Sequence, residues 1–437
     1  LHDFANYLAV LLIHERYDVQ VKCSGSAMSR VRSFLFLQGV CSPFFARLAD
    51  RLKDDGHRVF KINFNAGDFA CWGGRPAWNF RGHVSELWGF LDEKYRKFGI
   101  TDQIMFGDRR PVHRPAVNHG EACGIRSHIF EEGYFRPYWV TLEREGVNGH
   151  SLLPRDPDWF REVGARLPDY SDGQPFQSSF KIRAAFDVAY HAAGFWNPLF
   201  FPHYRTHAPV TAAVEYFGYA SRLPMLRFHK LRDSALVDSL VLASTPFFLL
   251  PLQLGSDAQI RDHSRFDDMA GVMEFVMESF ARYAPVEARL VIKNHPLDMG
   301  LVNYPAVIRD LSSRFGLAGR VDYMETGDLD VLLRAAWGTV TVNSTVGAHS
   351  LGLGCATIAL SDPIYNLPGL TFQGGLNDFW RERPLPDGEL FRRFRNTVIY
   401  ATQVNGGFYS RQGITMAVEN CRRMLESERS PLEELLG

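Results

Sequence analysis

Short apolar runs of strand length alternate with amphipathic segments of helix length, twice over, along this 437-residue chain. Few folds accommodate that pattern. From residue 33 the series runs as an apolar stretch (33–37, SFLFL), a loop, then Ser42-Pro43, a favoured cap and first-turn pair for a helix. Phe44, Phe45, Leu48 and Leu52 recur at helical spacing, and Gly56 ends the segment. Further strands are expected at 58–64, 103–106 and 125–130. A second series begins near Pro246, with strands at 247–252, 290–293, 320–323, 338–342 and 356–360. Helices fit 267–283, 304–315, 328–336 and 346–353. Short buried strands separated by helices pair in parallel, because helices then cover both faces of the sheet.

The expected fold is therefore α/β, with two Rossmann-like, doubly wound domains facing a central cleft. Between about 155 and 233 the pattern changes to helical segments with clustered Pro, Gly and aromatic residues, which reads as a helical insertion in the middle. Residues 1–32 read as an N-terminal extension, 33–240 as the first domain with its insertion, and 241–437 as the second.

Composition narrows the function classes. Lys and Arg total 48 against 49 Asp and Glu, so the chain lacks the positive field of a nucleic-acid binder and no nucleic-acid partner is expected. Six cysteines without a CxxC pair or zinc spacing point to reduced thiols and a cytoplasmic setting. The apolar stretch 4–13 lacks the basic lead and small-residue cleavage site of a secretory leader. The longest apolar run, 235–254, contains Asp238, Pro246 and Pro251, so a helix end followed by a buried strand fits better than a membrane span. No Walker loop, GxSxG, or GxGxxG after a strand is present. His113, His119 and His128 do not fall on one helix face, and neither a metal nor a cofactor is expected.

Ligands of open α/β sheets gather beyond the carboxyl ends of the strands, at helix N-termini. Four segments place reactive side chains there. Glu131 and Glu132 follow an apolar strand and precede Gly133 and Arg136. Crowding two carboxylates in a desolvated cleft raises one pKa, which suits a general acid or base; the plainer reading is a solvated strand end. Lys293 and His295, in Lys293-Asn294-His295-Pro296, end a buried strand and are good phosphate ligands. Asn343-Ser344-Thr345 opens a small-residue helix, either an anion site or an ordinary cap. Gln253 and Asp257 leave the first strand of the second series, where a carboxylate serves as nucleophile, base or hydroxyl ligand. Gln38, Gly39, Ser42, Asn65 and Asp68 follow the first two strands and are candidates to line the acceptor side of the cleft.

Acidic-acidic-Gly, then His-Pro, then Ser-Thr, in that order, resembles the bacterial sialyltransferases, GT-B enzymes that use CMP-activated nonulosonic acids. A wider set is more specific: Phe34-Leu-Phe-Leu-Gln-Gly, Phe130-Glu-Glu-Gly-Tyr-Phe-Arg-Pro, Val147-Asn-Gly, Leu153-Pro-Arg-Asp-Pro, Lys293-Asn-His-Pro-Leu-Asp, Val342-Asn-Ser-Thr-Val-Gly and Pro368-Gly-Leu-Thr-Phe-Gln-Gly. From about residue 33 to near Trp380 the chain is similar to the capsular polysaccharide biosynthesis/export family. That resemblance implies a GT-B-like, retaining β-Kdo transferase, cytoplasmic and peripheral to the inner membrane. CMP-Kdo would be the donor, a phosphatidylglycerol-type lipid the acceptor, and other capsule assembly proteins further partners. It implies Glu131 or Glu132 as general acid/base and Arg136 as partner of the Kdo carboxylate. Lys293, His295, Ser344 and Thr345, with Gln253 and Asn343 beside them, would hold the donor. Asp257, in a segment similar to one of the related polymerising Kdo transferases, is the implied nucleophile. A lipid acceptor would also explain the basic run Arg227, His229, Lys230 and Arg232; a solvated helix face is the plainer reading. Two rival readings use the same residues: a non-catalytic capsule polysaccharide export factor, and a GT-B transferase for another nucleotide sugar.

Overall fold

In a computed structural model, which describes residues 31–206, 211–254 and 264–437, the first series forms strands β1 (Ser33–Phe36), β2 (Arg58–Asn63), β3 (Trp78–Asn79), β4 (Asp102–Phe106), β5 (Arg126–Glu132) and β6 (Trp139–Arg144). The second forms β7 (Phe247–Pro251), β8 (Arg289–Lys293), β9 (Val321–Met324), β10 (Gly338–Thr341) and β11 (Thr357–Ala359), and a last strand, β12, spans Gln403–Asn405. The expected extension 1–32 and Asp257 fall outside the described residues, apart from 31 and 32.

The strands assemble into two sheets, ordered β12-β6-β5-β4-β1-β2-β3 and β11-β10-β7-β8-β9. The second is parallel throughout. In the first, β1 to β5 pair in parallel, while β6 runs antiparallel to β5 and β12 antiparallel to β6. The connection from β5 to β6 is too short for a crossover helix, so the chain must turn back on itself. The helix Phe44–Asp54 begins one residue later than the cap signals predict, with Pro43 rather than Ser42 at its N-cap, although Ser42 Oγ still accepts the Phe44 N–H; Gly56 takes the left-handed φ of +88° just past its end, as predicted. The 235–254 run divides as expected into the end of the helix Ala212–Leu242 and β7. No helix among the described residues is long and apolar enough to cross a membrane.

The chain beyond residue 402 returns to the first half: β12 extends its sheet, and Val404, Phe408, Ile414, Val418 and Leu425 share a core with Phe34, Phe36, Phe44 and Leu48. Arg144 holds the returning segment, donating to the Ser427 and Glu428 carbonyls and pairing with Glu433 at 2.7 Å. A core shared by both halves lies between the sheets. Tyr134, Leu153 and Phe160 meet Leu351, Ile364, Tyr365, Phe391 and Phe394 there, with Phe160 and Phe394 in edge contact at 4.9 Å.

The middle segment is helical as expected, with Pro157–Gly164, Phe180–Gly194, Asn197–Phe200 and Ala212–Leu242. The helix Phe180–Gly194 covers the carboxyl edge of the first sheet, where Tyr190 takes hydrogen bonds from Gln38 and Asn65. The helix Ala212–Leu242 packs on the second half: Arg222 donates to the His295, Pro296 and Asp298 carbonyls and pairs with Glu325.

At the start of β4, fully buried Asp102 accepts from His128 Nε2 (2.9 Å), Thr101 Oγ1 (2.7 Å) and the Arg126 guanidinium (2.9 and 3.1 Å). Burial works against its charge, but the bonds from His128 and Thr101 and the charge of Arg126 outweigh that and hold its pKa well below the usual carboxylate value. A depressed carboxylate stabilises the fold above its unfolded pKa of about 4 and loses that contribution as pH falls. Asp102→Asn should therefore lower the unfolding free energy by roughly 3–5 kcal/mol near neutral pH. In urea titrations the gap from wild type should narrow as pH drops below about 4; a gap independent of pH would contradict this account.

Candidate functional site

Glu131 and Glu132 are adjacent on β5, so their side chains leave the strand on opposite faces. The structure separates two groups that the sequence leaves equivalent. Glu131 sits beside Gly107, where an added Cβ would approach its Oε2 to 3.3 Å; Gly107 also takes a left-handed φ of +70°. Burial pushes the Glu131 carboxyl up to about 7, helped by the Glu132 charge and opposed by the Glu132 N–H bond (3.0 Å) and by Arg110 and Arg136. Glu132 instead pairs at 3.4 Å with Arg183, whose guanidinium lies over the Tyr409 ring at 4.6 Å. Nothing in the local sequence marks Arg183: it is one cation on an amphipathic helix, brought to the acid pair only by packing.

The five candidates for the acceptor side are engaged with their own surroundings. Gln38 donates to the hydroxyls of Tyr190 (2.9 Å) and Tyr204 (3.3 Å). Asn65 caps the helix Ala66–Trp72 and donates to Tyr190 at 2.8 Å. Asp68 accepts the Gly39 and Phe64 N–H groups and lies 3.3 Å from the Lys61 ammonium. Ser42 Oγ accepts the Phe44 N–H at 3.3 Å. Gln38, Ser42, Asn65 and Asp68 form a buried polar layer beneath the helix Phe180–Gly194.

In the second half, β10, β7 and β8 are neighbours, and their carboxyl ends deliver Asn343, Gln253 and His295 within roughly 10 Å. Gln253 and Asn343 bond reciprocally: Gln253 Nε2 donates to Asn343 Oδ1 at 3.0 Å, and the Asn343 N–H donates to Gln253 Oε1 at 3.2 Å. Ser344 caps the helix Thr345–Gly352 by accepting the Val346 N–H, and the Tyr365 hydroxyl donates to the Ser344 carbonyl at 2.5 Å. A Cβ at Gly347 would collide with that hydroxyl, so the motif needs its glycine. His295 Nδ1 accepts the Leu297 N–H at 3.1 Å, which puts the ring proton on Nε2. Burial, then the charges of Arg136, Lys293 and Arg222, bring its pKa down to about 4, so it is a neutral donor near pH 7. Lys293 is buried, its pKa lowered by that burial and supported by Asp233, Asp328 and Glu325, carboxylates whose charge it balances.

The two halves meet at a cavity of about 220 Å³. Tyr134, Phe135 and Asn148 line it from the first half, and Asn343, Thr345 and Tyr365 from the second. Arg136 follows Phe135 and lies near enough to lower the pKa of both Glu131 and His295. Tyr134 is held by Glu143, to which its hydroxyl donates at 2.6 Å, and by the Asn148 N–H at 2.7 Å. Glu143 is a second carboxyl raised by burial to about 7, and no motif pointed to it. Among the described residues one group gathers ligand atoms suited to a metal: Asp92, His119 and Cys123, on the helices Leu87–Phe98 and His113–Ala122 and the residue after the latter, where Asp92 already pairs with Arg96 at 2.8 Å.

Over residues 101–409 the chain matches the profile of a family described as capsule polysaccharide biosynthesis protein. It is 34% identical over 381 residues to the capsule polysaccharide export protein KpsS of Escherichia coli, covering 86% of this chain and 97% of that one. It is 35% identical over 390 residues to the capsule polysaccharide modification protein LipB of Neisseria meningitidis serogroup B, covering 88% and 93%. Among solved structures, the Thermosulfurimonas dismutans KpsC β-Kdo 2,7 transferase aligns with a TM-score of 0.43 and 12% identity, covering 93% of this chain and 98% of that one.

The crevice electrostatics predict two titrations. Glu131 should titrate near pH 7 and His295 near pH 4, the latter with its proton on Nε2, as read by NMR on side-chain-labelled protein. Ordinary values for both groups, about 4.3 and 6.5, would remove the electrostatic account of the site.

Proposed function

The chain belongs to the capsule polysaccharide biosynthesis protein family, and from that premise we propose that it is a retaining glycosyltransferase. It moves Kdo from CMP-Kdo to a phosphatidylglycerol-type lipid and so begins the linker that carries capsule polysaccharide. The observation that supports this reading is that one cation, Arg136, next to the cavity residue Phe135, acts electrostatically both on a carboxyl that titrates near neutrality, Glu131, and on the neutral imidazole of His295.

The donor's CMP phosphate would lie against His295 Nε2–H and the N-terminus of the helix Thr345–Gly352, where backbone N–H groups and the helix dipole favour an anion. Gln253 and Asn343 fix the loop beside it, and Lys293 with Arg222 keeps the surroundings positive. Arg136 would take the Kdo carboxylate. Stabilising the phosphate charge makes CMP a good leaving group. Asp257 would trap the anomeric carbon as the bond to CMP breaks, through an oxocarbenium-like state. In the second step Glu131 takes the proton of the acceptor hydroxyl, whose oxygen displaces Asp257 and restores the original configuration. Glu132, paired with Arg183, holds that helix over the acid turn and adds negative charge beside Glu131. Contact with a lipid acceptor would be peripheral, at the cytoplasmic face of the inner membrane.

Labelled Kdo transfer to lysophosphatidylglycerol, with CMP release, tests the proposal. No transfer and no CMP release with CMP-Kdo would overturn it, and turnover with another nucleotide sugar would redirect it. Glu131→Gln should lower kcat roughly 10²–10⁴-fold with donor affinity kept, Asp257→Asn should remove turnover, and His295→Ala should mainly weaken donor binding. Because the base must be ionised, kcat/KM in wild type should rise with pH through about 7.

A further inference from the structure

Among the described residues, the helix Ala212–Leu242 packs with one side on the second half and leaves an apolar side exposed. Gly218, Arg222, Asp233 and Val237 face the second half: Gly218 lies against Met299, Arg222 binds the 295–298 loop, buried Asp233 accepts the Glu325 and Thr326 N–H groups, and Val237 enters a core. On the far side Phe217, Pro224, Phe228, Leu231, Ala235 and Leu242 are exposed. Phe217 is 74% exposed, Phe228 76%, Leu231 78% and Leu242 85%. At helical spacing these six occupy a sector of roughly 60°, opposite the packed side and roughly 40 Å long. Apolar surface arranged this way on a folded chain marks a contact with something outside it.

Charge identifies the partner. Between Phe217 and Leu242 the exposed ionisable side chains are Arg227, Lys230, Arg232 and Asp238, three cations to one anion, with Arg232 also paired to buried Asp233. By helical geometry Arg227 flanks one side of the stripe and Arg232 the other, with Lys230 turned further round towards the packed side. His229 is turned inward, its Nδ1 buried, so the basic run of the sequence divides between the two sides. Near the start of the same helix, Tyr216 bonds Asp187 (3.0 Å) and His191 (2.9 Å), which brings the end of the helix Phe180–Gly194 alongside. The chain that follows exposes Phe195, at 82%, and Trp196, at 56%. Apolar and aromatic side chains edged by cations suit the boundary between acyl chains and anionic headgroups.

We propose that the outward face of the helix Ala212–Leu242 lies in the surface of an anionic bilayer, with its apolar stripe in the acyl boundary and its cations among the headgroups. The inference rests on the lipid acceptor proposed above, and adds the element that would bring the crevice to that acceptor: the opposite face of the same helix grips the His295 loop through Arg222.

Full-length protein is mixed with sedimentable vesicles of phosphatidylcholine alone, with phosphatidylserine, or with phosphatidylglycerol. Binding to both anionic preparations, well above phosphatidylcholine alone, is expected. Phe228→Glu with Leu231→Glu should reduce that binding at least about tenfold, and Arg227→Glu with Lys230→Glu should reduce it at low salt. Both double variants should keep the wild-type melting temperature and Kdo transfer to monomeric lysophosphatidylglycerol, which needs no bilayer. Vesicle binding that depends on the stripe, in a protein that transfers no Kdo, would sustain this inference while the enzymatic reading fails. Binding to phosphatidylglycerol alone and insensitive to the stripe would mean capture by the crevice and would overturn it. So would failure to bind vesicles, including the case where Phe228→Glu with Leu231→Glu converts a dimer to a monomer and reveals a second copy as the occupant.

Discussion

Two open sheets on one chain make a single site only if something fixes their carboxyl edges against each other. The core shared by the two halves supplies that constraint. Phe160 from the first half and Phe394 from the second are both fully buried there, beside Leu351, Leu367 and Leu390. The helix Gly388–Thr402, which carries Phe394, then hands the chain back to the first sheet through β12. The cavity lies on this core: Tyr134, Tyr365 and Phe394 belong to both. Close-packed interiors yield little, so side chains anchored in such a core keep their separation across the crevice.

With that spacing held, burial sorts the titratable groups of the crevice in opposite directions. The same loss of water that raises the Glu131 carboxyl towards 7 lowers the His295 imidazole to about 4. Near neutral pH one group sits at its own pKa, ready to exchange a proton, while the other is a neutral donor with its proton on a defined nitrogen. Arg136 stands between them electrically and favours the anionic form of the first and the neutral form of the second. A carboxyl poised near neutrality beside cationic groups is the kind of perturbation that functional sites show, whereas the ion-paired and hydrogen-bonded Asp102 is shifted the other way.

The helical layer ties both sides of the crevice from outside the sheets. Arg183 reaches Glu132 from one helix, and Arg222 gathers the carbonyls after His295 from another. The helices are themselves joined through Tyr216, Asp187 and His191. The insertion is therefore part of the site's framework, and any contact made on its outer face is mechanically close to the groups within.

The alternation of apolar strand and amphipathic helix is a local property, so the α/β class, nine of the parallel strand positions, among them those around Leu35, Ile104, Leu249 and Ile292, and the cap at Ser344 were all legible from the residues alone. Motif position was legible for a related reason: in parallel sheets a strand's carboxyl end is where its loop begins, which places Glu131, Gln253, His295 and Asn343 at or just past the carboxyl ends of β5, β7, β8 and β10. The three-residue strand β12 and the return of the last helices depend on pairing with β6, far away in sequence, and no local pattern records that. Which glutamate has its carboxyl pushed towards neutrality, which nitrogen of His295 carries the proton, and that Gln38 and Asn65 both donate to Tyr190 were likewise decided only by tertiary structure. Hydrogen-bond geometry and desolvation belong to the neighbours that folding assembles around a group, whereas periodicity belongs to the chain itself.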